Sequence, residues 1–445
     1  AAANNVNLTA AQNTSASTSQ TQVKKSGLSF SGGGFFIGSK KQKQTVDGDN
    51  ITHTAGFIQG DNINITAGNN ANISGVIVNA ESGIALVQAK KINLGTITNE
   101  SSQTVSNQSS QSGLSIGSQS ALITNTVALD NNIEQLQNAR SSKLQGALAL
   151  SSTNTLKTLK GALQQGDPTA QIANAGVSVS LGKSESSSSQ TTRTVEHLGT
   201  KIIAQETDLS ASEDLTLTAA SIQAANITLF AGNNLVIESA QNTQDTTSEQ
   251  QSSSTSIGVS MSLDNIKAGE IGSVNLSASD SSSQSQQTST QHQESTLTAT
   301  NQLTISSGND TDLTGAQVQA NQINANIGGN LTIESQQDTS TYQSDSEQKG
   351  FAVSAGITPT GFANPTLNIN QGQTNVDANF QSVEEQSGLF AGDGGITLNV
   401  AGTTTLTGGA IASEADPQNN QITTGDLQIA SLTNTETYNI QSQSI

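Results

Sequence analysis

The chain has 445 residues, of which 2% are aromatic and 32% hydrophobic, and 16 basic against 35 acidic side chains give a formal net charge of −19. The small apolar fraction excludes a thick globular core, and the negative charge argues against nucleic-acid binding through phosphate contacts. Cysteine is absent, which excludes a disulfide framework and a thiolate metal site. We expect no cofactor.

Short segments in which Ile, Val or Leu alternate with Thr, Asn or Ser recur along the chain, as in INITAG from Ile63, LTLTAA from Leu215 and ITLNVAG from Ile396. This alternation is typical of β-strands, and Gly-Asn or Gly-Asp turns separate many of the segments. No space remains between them for crossover helices. The pattern predicts an all-β, elongated parallel β-helix, in which a thin stack of aliphatic side chains suffices as core.

A basic, aromatic hairpin is predicted near the start of the chain. It contains Phe30, Phe35, Phe36 and Ile37, with a collar of lysines at Lys24, Lys25, Lys40, Lys41 and Lys43. Such a hairpin has two interpretations: it packs on the solenoid with solvated lysines, or it contacts an anionic membrane surface or a partner. We name Phe30, Phe35, Phe36, Ile37, Lys40, Lys41 and Lys43 as candidate contact residues.

Residues 121–175 depart from the strand pattern. Leucine and isoleucine recur there at spacings of three, four or seven, as at Leu129, Ile133 and Leu136, and Asp167-Pro168 ends the pattern. This periodicity predicts a small α-helical insertion. We therefore expect β-helix repeats with hairpins over 1–120, the insertion over 121–175, and further repeats over 176–445. Since the chain begins in mid-pattern, we expect an internal segment of a longer protein.

A period of 96 residues organises the second half of the chain. Similar segments begin around Leu235, Leu331 and Leu427, which are 96 residues apart in both steps. Each unit combines short solenoid strands with a Ser/Gln/Thr-rich run enclosing two alternating strands, as in TSIGVSMSLDNI and SVNLSASDSSSQ. We predict that these runs are long β-hairpins that project from the solenoid or lie along it.

Catalytic and metal-binding motifs are weak. Gly113-Leu114-Ser115-Ile116-Gly117 matches the G-x-S-x-G elbow in letters but lies in a serine-rich strand. The histidines His53, His197 and His292 occupy similar places in different units, too far apart to share a metal, and are predicted to be solvated surface residues. Asp47, Asp49, Asp61 and Asp393 suit turns better than calcium loops. An enzyme of the pectate-lyase type would need charged residues clustered on adjacent coils, so we predict no enzyme.

The segment from Ser382 to Tyr438, with EEQSGLFAGDGGITLNV and LTGGAIASE, resembles the haemagglutinin-repeat units of filamentous haemagglutinin and contact-dependent growth-inhibition exoproteins. GGNLTIESQQDTSTY is also similar to these units, and the repeats extend the resemblance over the whole chain, most closely to the second haemagglutinin-repeat region. The resemblance implies a right-handed β-helix in a two-partner-secretion protein. It also implies export through an outer-membrane partner barrel.

This resemblance favours one function over another. The expected role is a secreted, cell-surface shaft, associated with the outer membrane, that mediates cell contact and helps deliver a C-terminal toxin across the target outer membrane. The alternative is a filamentous adhesin that binds host-cell glycans or receptors. The implied partners are the secretion barrel, the target outer membrane or a surface receptor, and the toxin domain of the full-length protein.

Overall fold

The computed structural model describes residues 1–31, 34–119, 176–261, 269 and 271–445. In these residues the protein is almost entirely β-strand, and a 3₁₀ turn at Pro417–Asn419 is the single helical element of the described part. The prediction of an all-β fold is confirmed. The predicted helical insertion over 121–175 lies outside the described residues.

Two sheet systems make up the described residues, a parallel solenoid and an antiparallel sheet beside it. The solenoid strands are β1 (Val6–Thr9), β4 (Gly56–Gln59), β5 (Ile63–Thr66), β6 (Asn70–Ser74), β7 (Val76–Ala89), β10 (Lys201–Ala211), β11 (Leu215–Thr218), β12 (Ser221–Ala231), β13 (Leu235–Glu238), β16 (Ser295–Ser307), β17 (Thr311–Thr314), β18 (Ala316–Ile327), β19 (Leu331–Glu334), β22 (Gly388–Thr407), β23 (Ala410–Ser413) and β24 (Gln421–Ala430).

The antiparallel strands are longer, and they form what we call the lateral sheet. They are β2 (Ala11–Ser31), β3 (Gly34–Thr54), β8 (Lys91–Gln119), β9 (Gly176–Gly199), β14 (Ala240–Met261), β15 (Gly272–Gln293), β20 (Asp338–Thr358), β21 (Gly361–Ser382) and β25 (Thr435–Ser444). The first residues of β8 pair with solenoid strand β6, and the rest of β8 pairs with β3 and β9.

Each solenoid coil has three strand segments, so the stacked coils present three parallel faces. Lys201 of one coil pairs with Ser221 of the next, so one coil takes 20 residues there. The first two faces run through β7, β10, β12, β16, β18 and β22, and the third runs through β6, β8, β11, β13, β17, β19 and β22. The predicted parallel β-helix is therefore confirmed.

Aliphatic ladders fill the inside of the coils. On the second face Leu209, Leu229 and Ile305 are directly paired and at most 2% exposed. On the third face Leu217, Ile237 and Leu313 form a similar ladder and are fully buried. Most inward positions have a similar aliphatic neighbour in the coil above and in the coil below. A small number of apolar residues per coil is therefore enough to exclude water from the interior.

The connection between the third and the first face takes two forms in alternate coils. In one coil the chain turns directly into the next coil through a residue with positive φ, as at Gly75 (64°), Gly315 (66°) and Gly408 (62°). In the following coil the chain leaves at this corner to form a hairpin of the lateral sheet. Two coils of about 20 residues and one hairpin thus account for the 96-residue period.

Buried hydroxyl groups complete the corner where each hairpin returns to the solenoid. Thr200, Ser295 and Ser387 occupy this place and are at most 1% exposed. The Ser295 hydroxyl accepts a hydrogen bond from the Ala220 backbone N–H (3.0 Å) and donates one to the Glu238 carbonyl (2.7 Å). These contacts satisfy backbone groups that the departing hairpin would otherwise leave unpaired.

The tight corner should not tolerate a side chain at Gly315. Gly315→Ala is expected to destabilise the protein by about 1–3 kcal/mol, because φ is in the left-handed region and the new Cβ would overlap Ser239 Oγ. Gly48→Ala is the matched control: its nearest neighbour would be Ser17 Oγ at 3.5 Å, an ordinary contact. Urea unfolding followed by circular dichroism measures both, and equal stabilities of the two variants would contradict this account of the corner.

Candidate functional site

The hairpins of successive repeats pair with one another, which the sequence did not lead us to predict. Strand β9 pairs with β14, and β15 pairs with β20, so separate hairpins join into one sheet from β2 to β25. Neighbouring strands lie about 4.8 Å apart in any sheet. Two stacked coils lengthen the solenoid by ~10 Å, and the two strands of one hairpin widen the lateral sheet by the same ~10 Å. The two sheet systems therefore grow by equal amounts with each repeat.

Hydroxyl groups pair across the strands of the lateral sheet. Ser252 and Ser281 are 2.8 Å apart between their Oγ atoms, as are Ser256 and Ser277. Most side chains of β14 are half-buried or exposed, so water reaches both faces of the sheet. Cross-strand hydroxyl pairs stabilise such a two-sided polar sheet by about 0.2–1 kcal/mol each. This explains the Ser/Gln/Thr-rich composition of the hairpins.

One row of residues across the lateral sheet is aliphatic on eight neighbouring strands. We call this row the aliphatic band; its members, directly paired in order, are Leu28, Ile37, Leu114, Leu181, Ile257, Leu276, Val353 and Leu367. A second row on the same face, two residues further out, includes Ile116, Val179, Val259 and Val274.

Seven of the eight band residues are exposed to solvent, and Leu114 is half-buried. Leu181 is 57% exposed, Ile257 52% and Leu367 61%. Eight strands at about 4.8 Å make the first row roughly 34 Å long, and the second row, about 7 Å away, extends over four of these strands, or roughly 14 Å. Contiguous apolar patches of several hundred Å² on a soluble protein mark contact surfaces. The band is therefore the strongest candidate functional surface of the described residues.

The opposite face of the same part of the sheet carries small and polar residues. Behind the band run rows such as Gly38, Gly113, Gly182, Ser256 and Ser277. A Cβ added to Gly38 or Gly113 would lie 2.6 Å or 2.8 Å from Phe36 Cζ, so the ring of Phe36 covers these two glycines. The sheet is amphipathic at this end, with its aliphatic side chains on one face only.

The candidate contact residues divide between the two faces. Ile37, Lys41 and Lys43 lie on the face that carries the band, while Phe36 and Lys40 lie on the opposite face, because successive strand residues alternate. Phe30 and Phe35 pair directly across the β2–β3 hairpin, and the structure describes only the backbone of these two residues.

The sequence carried a signal for the band that composition alone did not reveal. Three returning strands have an aliphatic residue 19 positions before the corner that starts the next coil: Ile37 before Gly56, Leu181 before Thr200 and Leu276 before Ser295. In the fourth, Leu367 lies 20 positions before Ser387. This nearly constant distance places the aliphatic residues at one height in the lateral sheet. Alignment on the corner residues would have found the row.

The three histidines occupy equivalent places at the base of the lateral sheet. His53, His197 and His292 each receive the same pair of contacts from a side-chain oxygen, that of Asn99, Asn242 and Asp338 respectively. The backbone N–H donates at 2.7 Å and ring Nδ1 lies 3.1–3.3 Å from the same oxygen. The prediction of equivalent places is confirmed, but the prediction of a solvated ring is wrong for His292, whose side chain is 6% exposed.

A carboxyl pair lies near His292. Burial, and to a smaller extent the hydrogen bond and charge of Glu385 and the charge of Asp338, raise the pKa of Glu294 to about 8. Glu294 therefore holds a proton at neutral pH. The proton allows two carboxyl groups of successive repeats to share a hydrogen bond instead of repelling each other.

The remaining chemical motifs do not assemble into a reactive site in the described residues. Ser115 pairs with Ser180, with 2.8 Å between the Oγ atoms, inside an antiparallel ladder rather than at a strand-to-helix turn. No group of three or more His, Cys, Asp or Glu side chains in that part of the chain could hold a metal ion. In the same residues no helix is long and apolar enough to cross a membrane.

Comparison with known proteins finds one family. The model of the family described as Hemagglutinin repeat matches residues 1–113, 37–169, 177–351 and 343–445. No solved structure matches the chain.

Among curated proteins, the chain is 33% identical over its full length to a tRNA nuclease CdiA from Escherichia coli O6:K15:H31 (strain 536 / UPEC), of which it covers 14%. It is 30% identical over 95% of its length to a deoxyribonuclease CdiA from Dickeya dadantii (strain 3937), of which it covers 13%. A deoxyribonuclease CdiA from Yersinia pseudotuberculosis serotype O:3 (strain YPIII) is 30% identical and is covered to 41%. The chain thus spans about one seventh of the first two relatives.

Proposed function

This chain belongs to the Hemagglutinin repeat family, and on that premise we propose that it is a shaft segment of a two-partner-secretion exoprotein that helps deliver a C-terminal toxin into a contacted cell. The similarity to two CdiA nucleases over 95–100% of the chain supports this assignment. We assign the nuclease activity in the names of those relatives to parts of them outside the matched segment. The role of this segment is mechanical and interfacial, with no reaction catalysed.

The proposed partners follow from the same premise. An outer-membrane barrel exports the full-length protein to the cell surface, and the exoprotein stays associated with the outer membrane of the producing cell. The target outer membrane, or a receptor in it, is the partner of the shaft.

The observation that carries the membrane contact is the aliphatic band. Its side chains project from one face of a sheet whose other face is polar, near the ends of strands about 20 residues long. An amphipathic sheet of this kind can lie on a bilayer with its apolar face in the acyl region and its polar face in water. We assign this face to contact with the target membrane.

A chimaera tests the proposal. The E. coli relative carries this chain in place of its own matched segment, with Leu181→Ser, Ile257→Ser and Leu276→Ser introduced together. Serine suits these positions because the same sheet already pairs serines across strands. We expect normal surface display but at least about tenfold less killing of susceptible target cells in co-culture, since three apolar anchors of about 1.5–3 kcal/mol each are lost.

The matched control is the triple change Ser184→Ala, Ser254→Ala and Ser279→Ala, which lies in one row of the opposite face. It should leave killing unchanged. Full killing by the band variant would contradict membrane contact through the band. Loss of host-cell binding by the band variant, with killing intact, would favour the alternative function, a filamentous adhesin.

A further inference from the structure

A shallow polar trough lies on the same face of the lateral sheet as the aliphatic band. It has a volume of about 370 Å³ and crosses β3, β8, β9 and β14. Its lining includes Lys41, Lys43, Gln108, Ser110, Glu185 and Ser253. Hydroxyl and amide groups at this density offer many donors and acceptors to one polar ligand.

The trough and the band keep a constant distance on all four strands. Lys41, Ser110, Glu185 and Ser253 form one row, and each lies four residues from the band residue of its own strand. Four residues correspond to about 14 Å along a strand, and the even spacing keeps both features on one face. A ligand with a polar head and apolar chains can therefore occupy trough and band together.

The charge of the trough favours an anionic head. Lys24 pairs directly with Lys41 on this face, so two like charges stand opposite each other in a chain of net charge −19. Directly opposed like charges destabilise a sheet, and an anion beside them relieves the repulsion. The carboxylate of the trough, Glu185, forms an ion pair with the Lys183 ammonium at 2.8 Å.

We propose that this face binds a phosphorylated glycolipid, with the phosphosaccharide head in the trough at Lys41 and Lys43 and the acyl chains on the aliphatic band. Lysine ammonium groups bind phosphate as point charges, and serine and glutamine side chains suit a polyhydroxylated head. This inference rests on the proposed membrane contact and names the lipid class that the contact recognises.

Vesicle flotation of the purified chain tests the inference. The vesicles are phosphatidylcholine alone, phosphatidylcholine with phosphatidylglycerol, and phosphatidylcholine with lipid A at the same total negative charge. We expect preferential binding to the vesicles with lipid A. Lys41→Gln with Lys43→Gln should weaken that binding about tenfold or more, because two charge-assisted contacts to the phosphate are lost.

Lys90→Gln with Lys201→Gln, on the solenoid, removes the same charge away from the lateral sheet and should bind like the unmodified chain. Equal binding to both anionic vesicles, or binding that the Lys41/Lys43 variant retains, would overturn the glycolipid assignment while leaving the membrane contact standing. Absence of binding to all three vesicles would overturn both.

Discussion

Replacing Leu229 by alanine is expected to lower the free energy of unfolding by about 2–5 kcal/mol. Leu229 is fully buried and pairs with Leu209 in the coil before it and Ile305 in the coil after it. Because the ladder has no other side chain to fill the space, the substitution leaves a cavity between two coils. Urea unfolding monitored by circular dichroism measures the change.

Leu276→Ala is the matched control, since it removes the same atoms from the aliphatic band. Leu276 is 43% exposed, so the loss should stay below about 1 kcal/mol. The difference between the two variants separates the core of the molecule from its contact surface. If Leu276→Ala were as costly as Leu229→Ala, the band would be covered in solution and would not be available to a membrane.

The periodicity of the sequence predicted the solenoid because its ladders are visible in single residues. Leu235, Leu331 and Leu427, the three landmarks of the 96-residue period, all lie on the third face and are linked through Thr311 and Thr404. The side chain at each inward position must pack against the side chains of the coils above and below. The structural repeat is therefore visible as a repeat in the sequence. For this reason the repeat and the fold class were predictable together.

The lateral sheet was less predictable because its strands are alike on both faces. In β14 most residues are Ser, Thr or Gln, and such a strand does not specify its partner or register by itself. The stacking of the coils fixes both, since it sets the height at which each hairpin leaves. The aliphatic band, which depends on this register, could not be found from any one hairpin.

The surroundings of the histidines, like the register of the lateral sheet, were not predictable from the local sequence. Three polar residues spaced 144 and 95 apart suggested solvated surface positions. The burial of His292 arises from its contact with Asp338 of the next hairpin, 46 residues away. A contact between neighbouring hairpins is not visible in the local pattern around His292.

Glu294 is expected to make the stability of the protein fall as the pH rises. Its pKa is raised in the folded protein to about 8, against 4.5 for a free glutamic acid, mainly because the half-buried carboxyl group is poorly solvated. The folded state therefore binds the proton more tightly than the unfolded state. This contribution to stability is complete below about pH 4.5 and is lost as the pH rises through about 8.

Glu294→Gln isolates this effect because an amide can still donate a hydrogen bond to Glu385 but does not titrate. Thermal melting between pH 5 and pH 9 should show similar Tm values for variant and unmodified protein at the acid end, and a Tm several degrees higher for the variant at the alkaline end. Glu385→Gln should keep part of the pH dependence, since burial, the largest cause of the raised pKa, remains. If the Tm of Glu294→Gln and the Tm of the unmodified protein changed in the same way with pH, the two carboxyl groups would not share a proton. The bases of successive hairpins would then be held together by the ladder and the His292–Asp338 contact alone.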